Sequence, residues 1–116
     1  MLEAITEHDM TAKRFADALS DWGLTDQERD GVATCGIGPG EPGAAVTLET
    51  RMRHIVDVDR TAGALVGRAS LLPVWLRLPQ DALEGLTPLE LITSHVAGLR
   101  HVRQMLVRER LERGFN

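Results

Sequence analysis

Aromatic side chains are scarce in this 116-residue chain: they make up 3% of the residues, and tyrosine is absent. A protein that stacks single-stranded nucleic acid on an aromatic platform needs several exposed rings, so the composition excludes that class. Hydrophobic residues still reach 43%, which is typical of a globular domain. We therefore expect one small unit built around an aliphatic core.

Cysteine is nearly absent, and long apolar runs are missing. Cys35 is the only cysteine, so it has no partner for an internal disulfide, and we expect a reducing, cytoplasmic location. No apolar stretch approaches the roughly 18 residues that a membrane-spanning helix needs. The acidic start of the sequence, MLEAITEHDM, lacks the basic and apolar segments of a secretory signal. We expect no membrane partner.

The charge is negative overall and unevenly distributed. The net charge of −4 argues against a nucleic-acid-binding protein, whose affinity comes largely from neutralising phosphates. Residues 1–31 carry eight acidic and three basic side chains, whereas residues 100–116 carry five arginines and two glutamates. Arginine suits planar, bidentate recognition of carboxylate or phosphate. A genome rich in arginine codons explains the arginine bias equally well.

The spacing of apolar residues predicts an all-α fold. Helices are expected over residues 11–22, 26–34, about 48–67 and about 95–113. Arg51 is expected to lie largely off the apolar face of the third of these helices. The Gly- and Pro-rich stretch over residues 35–45 predicts an irregular connection.

Two capping signals refine this pattern. Thr25 and Glu28 have the spacing of a capping box, and Thr87 with Pro88 and Glu90 gives the same signal more strongly. Between them, the apolar segment over residues 71–79 predicts one or two helical turns that bury or nearly bury Trp75. No segment predicts a strand.

The first two predicted helices are compatible with a degenerate helix-turn-helix. The recognition helix of that motif would fall over residues 34–45, within the Gly/Pro stretch, where no basic or amide-rich helix is expected. Asp26, Glu28 and Asp30 would face phosphate with the wrong sign of charge. We therefore expect no DNA-binding residues in this region.

Patterns typical of catalysis or metal binding are also absent. The four histidines are scattered, Cys35 has no second thiol near it in the sequence, and the glycines after it lack the Lys-Ser/Thr of a phosphate-binding loop. Ser70 and Ser94 lack the glycine frame of a nucleophile elbow. We expect no enzyme, no catalytic residue, no metal site and no cofactor.

The C-terminal part of the chain contains a combined motif that is more specific than any of its pieces. It reads W-L-x-x-P, followed by L-x-G-x-x-P-x-x-L-I. The residues that form it are Trp75, Leu76, Pro79, Leu83, Gly85, Pro88, Leu91 and Ile92. Over residues 71–116 the chain resembles the C-terminal toxin-binding domain of the MbcA/ParS/Xre antitoxins, and the helix over 48–67 resembles the segment that precedes it more weakly. The resemblance divides the chain into a helical N-terminal region, residues 1–70, and a toxin-binding domain, residues 71–116.

The resemblance implies an antitoxin of a type II toxin–antitoxin system. Such a protein neutralises a RES-domain toxin, which consumes NAD or uses it for ADP-ribosylation, by covering the toxin's active site with the end of the domain. It also implies a homodimer or a larger hetero-oligomer with the toxin. The residues expected to contact the toxin are Trp75, Leu76, Leu89, Arg108, Arg110, Arg113, Phe115 and Asn116.

Two alternative functions stay open at this point. The first is a DNA-binding repressor of its own operon, and the second is a plain oligomerisation or adaptor module. The leucines at positions 71, 72, 76 and 78 exceed what one helical face buries internally, which favours an interface of some kind.

Overall fold

The computed structural model describes residues 7–35, 37 and 43–114, which form six α-helices and two short 3-10 turns. The α-helices are α1 (Glu7–Asp21), α2 (Asp26–Thr34), α3 (Ala44–Val66), α4 (Leu72–Leu76), α5 (Pro88–Ser94) and α6 (Gly98–Glu112). The 3-10 turns, Ala69–Leu71 and Asp81–Leu83, precede α4 and α5. No strand occurs within the described ranges, and the all-α prediction is confirmed.

The threonines that the sequence predicts as caps make hydrogen bonds at the starts of α2 and α5. Thr25 Oγ1 accepts a hydrogen bond from the Glu28 N–H at 3.1 Å, and Glu28 Oε1 accepts one from the Thr25 N–H at 2.9 Å. Thr87 Oγ1 accepts from the Glu90 N–H at 3.0 Å, but the reciprocal bond from the Thr87 N–H to the Glu90 side chain, which the predicted capping box includes, does not form between these two described residues. Each bond satisfies a backbone donor that the first helical turn leaves without a partner. The starts of α2 and α5 are thereby fixed by neighbouring residues alone.

Three helices begin at positions that differ from the predicted ones. α1 begins at Glu7 rather than residue 11, and α3 begins at Ala44 rather than about residue 48. Gly43 adopts a φ of 78° just before α3, and the two alanines that follow it are strong helix formers that extend the helix back to the glycine. α6 begins at Gly98 rather than residue 95, because the backbone of His95 is extended.

The segment between α2 and α3 is the one in which a recognition helix would have to lie. α2 ends at Thr34 and α3 begins at Ala44. Residue 36 and residues 38–42 of the predicted connection lie outside the described residues. The degenerate helix-turn-helix stays a prediction.

α3 is the central helix of the core. It packs against α1, α2, α4 and α6, while α5 packs against α2 and α6. The predicted apolar face of α6 is buried, and its members are Leu99, Val102, Met105 and Leu106. The core is continuous across residue 70, because Trp22 and Val32 belong to the same cluster of buried side chains as Leu76 and Leu106.

One polar contact in the core explains an interruption of the apolar pattern of α3. Asp59 falls within the apolar stripe, and its Oδ1 accepts a hydrogen bond of 2.8 Å from Nε1 of Trp22. The Trp22 side chain is fully buried. A buried indole N–H needs a hydrogen-bond acceptor. The Asp59 carboxylate provides it, whereas an aliphatic residue at this position would leave the Trp22 N–H without a partner.

Arg51 is buried, contrary to the prediction from the apolar pattern of α3. Its side chain is 8% exposed. Nε donates a hydrogen bond of 2.6 Å to the Val32 carbonyl, and Nη2 donates one of 2.7 Å to the Ile92 carbonyl. Both carbonyls belong to the last turns of their helices, where no helical N–H reaches them and the helix dipole is negative. Burial lowers the pKa of the Arg51 guanidinium, which still binds two helix ends to α3.

Gly98 marks the closest approach of one backbone to another among the described glycines. An ideal Cβ on this residue would lie 1.8 Å from the Leu91 carbonyl oxygen and 2.4 Å from its carbonyl carbon. Those atoms are backbone and cannot move aside as a flexible side chain would. Only glycine therefore lets α6 begin directly against α5, with the short turn His95–Ala97 between them.

We predict that Gly98→Ala destabilises the protein by about 3 kcal/mol or more, because the added methyl group forces α5 and α6 apart. The matched control is Gly63→Ala in α3, where the added Cβ meets no atom within 4 Å. This control is expected to be neutral or to gain up to about 1 kcal/mol of stability. Urea unfolding followed by circular dichroism measures both variants. Equal free energies of unfolding for the two variants would contradict the close approach.

Candidate functional site

α4 brings part of the predicted site to the surface and part of it into the core. Leu76 is 1% exposed and Leu89, on α5, is 4% exposed, so neither side chain offers a partner appreciable surface. Trp75 is half-buried and packs against the core. Leu71, Val74 and Leu78 are the exposed apolar residues of this segment. Their spacing of three and four residues resembles that of one helical face.

α4 is held in place by an ion pair with α2. Nη1 and Nη2 of Arg77, directly after α4, donate hydrogen bonds of 2.8 Å to the two carboxylate oxygens of Glu28. The same carboxylate accepts the Thr25 N–H of the capping box. The Arg77 bonds, followed by the Thr25 bond, lower the pKa of Glu28 to about 2, and the pair raises the pKa of Arg77. The position of the α4 surface therefore depends on the start of α2.

The C-terminal ends of α3 and α6 meet at one end of the molecule. Asp57 pairs with Arg103 at 3.6 Å, and further along both helices Arg113 Nη1 donates a hydrogen bond of 3.2 Å to the Leu65 carbonyl. The two helices therefore run in the same direction. Leu111 is 72% exposed at this end, and Val107, one turn earlier, is 55% exposed. This end offers a partner both apolar surface and arginine.

The predicted arginines point to different sides of α6. Arg108 and Arg110 are two residues apart, which separates them by about 200° around a helix. Arg110 lines a groove of about 560 Å³ between α3 and α6. Arg108 lines a separate depression of about 280 Å³ with Glu84 and His101. The structure thus brings Arg110 and Arg113 to the α3 side of α6 and leaves Arg108 elsewhere.

Phe115 and Asn116 lie outside the described residues.

Three groove arginines were not among the residues that the sequence singled out. Arg60 on α3 lines the groove together with Arg100 and Arg103 on α6. The sequence does indicate that Arg100 and Arg103 belong together, since residues three apart lie on one face of a helix. The contribution of Arg60 depends on how α3 and α6 pack, and local spacing does not report this.

His54 on α3 lies close enough to Arg103 for the arginine to disfavour the charged form of its imidazole. Burial lowers the pKa of the His54 imidazole, and the nearby Arg103 and Arg51 lower it further, whereas Asp57 acts in the opposite direction.

Within residues 7–35, 37 and 43–114, no group of three His, Cys, Asp or Glu side chains lies close enough together to hold a metal ion. No described helix is both long and apolar enough to cross a membrane.

Comparison with known proteins finds a family match for the part of the chain that contains α4, α5 and most of α6. Residues 61–110 match the sequence model of the family described as the antitoxin Xre/MbcA/ParS C-terminal toxin-binding domain. The match begins within α3, ten residues before the predicted boundary, and ends two residues before the end of α6. The resemblance found in the sequence is therefore confirmed for this segment. No curated protein and no solved structure matches the chain significantly.

We predict that Glu28→Gln removes a pH-dependent part of the stability. The folded pKa of Glu28, about 2, lies below its ordinary value of 4.5, so the ionised carboxylate stabilises the fold fully above about pH 4.5 and loses this effect as the pH falls towards 2. The side chain is 25% exposed, and solvent screening limits the difference to about 1 kcal/mol.

Thermal unfolding of both proteins at several pH values measures this difference. The wild type is expected to be the more stable at neutral pH, and the two stabilities are expected to converge between pH 4.5 and 2. The control is Glu112→Gln, an exposed carboxylate at the end of α6. A gap between wild type and Glu28→Gln that persists at pH 2 would contradict the assigned ion pair.

Proposed function

Because residues 61–110 carry the C-terminal toxin-binding domain of the Xre/MbcA/ParS antitoxin family, we propose that this protein binds and neutralises a RES-domain toxin by covering its active site. The family match is the observation that carries the proposal. The proposed role is non-catalytic, in the cytoplasm, and NAD enters only as the substrate of the toxin. A homodimer or a larger hetero-oligomer with the toxin is the assembly that we propose.

The exposed surface of the matched segment supports a binding role. Leu71, Val74 and Leu78, in and beside α4, are exposed apolar residues that lie close together in the chain. Exposed apolar side chains grouped on one segment are typical of surfaces that a partner covers. Tryptophan and arginine are the residue types that contribute most to binding energy at interfaces, and Trp75 and Arg110 are the candidates of those types in the match.

We assign the covering surface to the end of the molecule where α3 and α6 meet. Leu111 and Arg113 are exposed there, and Gly114 adopts a φ of 78°, which turns the chain out of the helical path. Phe115 and Asn116 follow directly in the sequence. An arginine and an aromatic residue separated by one glycine suit insertion into a cleft.

The buried members of the predicted set have a different role in this proposal. Leu76 and Leu89 belong to the core, so they hold α4 and α5 in position and do not themselves contact the toxin. Arg108 lies away from the α3 side of α6, beside His101. We propose that it contacts the toxin only where the toxin extends around α6.

Removing residues 113–116 is predicted to abolish neutralisation while the rest of the chain stays folded. The deletion removes the Arg113 bond to Leu65, whose loss costs about 1 kcal/mol at most at this exposed position. It also removes an arginine and an aromatic residue, each with about 2 kcal/mol of binding energy when central to an interface. The dissociation constant is then expected to rise by about a thousandfold.

The measurement is growth rescue of cells that express a RES-domain toxin as the proposed partner, with circular dichroism of each purified variant. Two full-length controls separate the contributions. Arg113→Ala removes the bond to Leu65 but keeps the last two residues, and Val74→Ser/Leu78→Ser alters the α4 face. Full rescue by the truncated chain combined with loss of rescue by the α4 variant would place the covering surface at α4. Failure of the wild type to rescue would refute the proposed function.

The proposal also predicts that the isolated protein binds its own promoter no better than a neutral control protein at physiological salt. The net charge is −4, and the negatively charged Asp26 and Asp30 on α2 repel phosphate. A gel-shift titration against promoter and scrambled DNA checks this. Tight, sequence-dependent binding would favour the alternative function, a repressor of its own operon.

A further inference from the structure

The groove between α3 and α6 concentrates positive charge on a protein that is negative overall. Four arginines line it, and Asp57 is the one carboxylate among the lining residues. Asp57 pairs with Arg103. Within the described part of the chain, Arg60 and Arg100 are exposed and have no hydrogen bond or ion pair of their own. Because Arg60 and Arg100 carry like charges without neutralising partners, they disfavour the free protein, and this repulsion is relieved when an anion binds.

The arginines are distributed along the groove rather than gathered at one point. Arg100 and Arg110 are ten residues apart on α6, which corresponds to about 15 Å along the helix axis. Arg103 lies between them, and Arg60 faces them from α3. A chain in extended conformation covers this length with about five residues. The arrangement therefore suits an extended ligand with several anionic groups better than it suits a single phosphate or carboxylate.

The chemistry of the groove also distinguishes an acidic peptide from a nucleic-acid strand as its ligand. None of the lining residues is aromatic, so a nucleotide base would find no ring to stack on. Val58, Leu106 and Val107 contribute apolar surface between the arginines, which suits the side chains and backbone of a peptide. A length of about 15 Å also limits contact with a nucleic-acid strand to a few phosphates, too few for strong binding to a protein of this net charge.

We propose that this groove binds an extended, acidic segment of the partner toxin. The segment carries several carboxylates that pair with the groove arginines in bidentate geometry, and an apolar side chain that packs on Val107. Arg110 in the groove lies three residues before Arg113, which meets Leu65, so one partner reaches both surfaces. This inference rests on the proposed function for the identity of the partner, whereas the acidic-peptide chemistry follows from the groove itself.

A model peptide tests the groove without the toxin. The probe is fluorescein-labelled decaglutamate, followed by fluorescence anisotropy at low and physiological salt, and an uncharged Gly/Ser decapeptide is the control probe. The test variant is Arg60→Gln/Arg100→Gln, which removes two arginines that make no bond within the described structure, so the fold is expected to be unaffected. The control variant is Arg14→Gln/Arg29→Gln, which makes the same change in net charge at exposed positions of α1 and α2.

We expect decaglutamate to bind the wild type with a salt-dependent affinity. Affinity is expected to fall about tenfold in Arg60→Gln/Arg100→Gln and less than twofold in Arg14→Gln/Arg29→Gln. No binding to the wild type, or an equal loss in both variants, overturns the proposal. Tighter binding of a ten-nucleotide single strand or of a dinucleotide through the same arginines also overturns it, since the site would then be one for nucleic acid or nucleotide.

Two further measurements assign the occupant. Sedimentation of the free protein shows whether the acidic helices of a second copy fill the groove: self-association that the groove variant abolishes would overturn the proposal. In a binding titration with the purified toxin, Arg60→Gln/Arg100→Gln is expected to raise the dissociation constant about tenfold. Unchanged toxin affinity refutes the groove inference and leaves the proposed function intact. Failure of wild-type neutralisation refutes the proposed function, and the peptide result still reports on the groove.

Discussion

The hydrogen bonds of Arg51 are the contacts on which the arrangement of the helices depends. One guanidinium, buried on α3, donates to a carbonyl in the last turn of α2 and to another in the last turn of α5. Two helix ends that would otherwise present unsatisfied carbonyls to the core are neutralised by one positive charge. The close packing of Gly31 on Thr93, where an added Cβ would lie 3.0 Å from the Thr93 Cβ, is part of the same junction.

The surfaces that we assign to binding follow from this junction. α5 is fixed to α2 and α3, and α6 must begin at Gly98 against the Leu91 carbonyl, so the path of α6 along α3 is determined by the end of α5. That path places the C-terminal ends of α3 and α6 together and leaves the arginine-lined groove between them. The Arg77–Glu28 pair sets α4 against α2 in a similar way. Core residues of both predicted regions therefore support the matched toxin-binding segment.

The sequence predicts those features that depend on neighbouring residues. The capping box of Thr25 and Glu28 and the buried face of α6 are local patterns, and the family motif combines local spacings. Arg51 was predicted off the buried face because its partners are carbonyls 19 and 41 residues away in the chain. Leu76 was predicted as a contact residue because α4 is too short to show which of its leucines face the core. The separation of Arg108 from the groove and the addition of Arg60 to it likewise depend on the packing of α3 and α6.

Hydrogen exchange of the chain, alone and in complex with the proposed RES-domain toxin, shows directly whether the partner covers the C-terminal ends of α3 and α6. Amides protected by a partner exchange more slowly, and the pattern reports where the partner sits. The account predicts new protection over residues 100–114 and over the facing turns of α3 at residues 57–61, with exchange in α1 and α2 unchanged. New protection confined to α1 and α2, with none on α6, would contradict it.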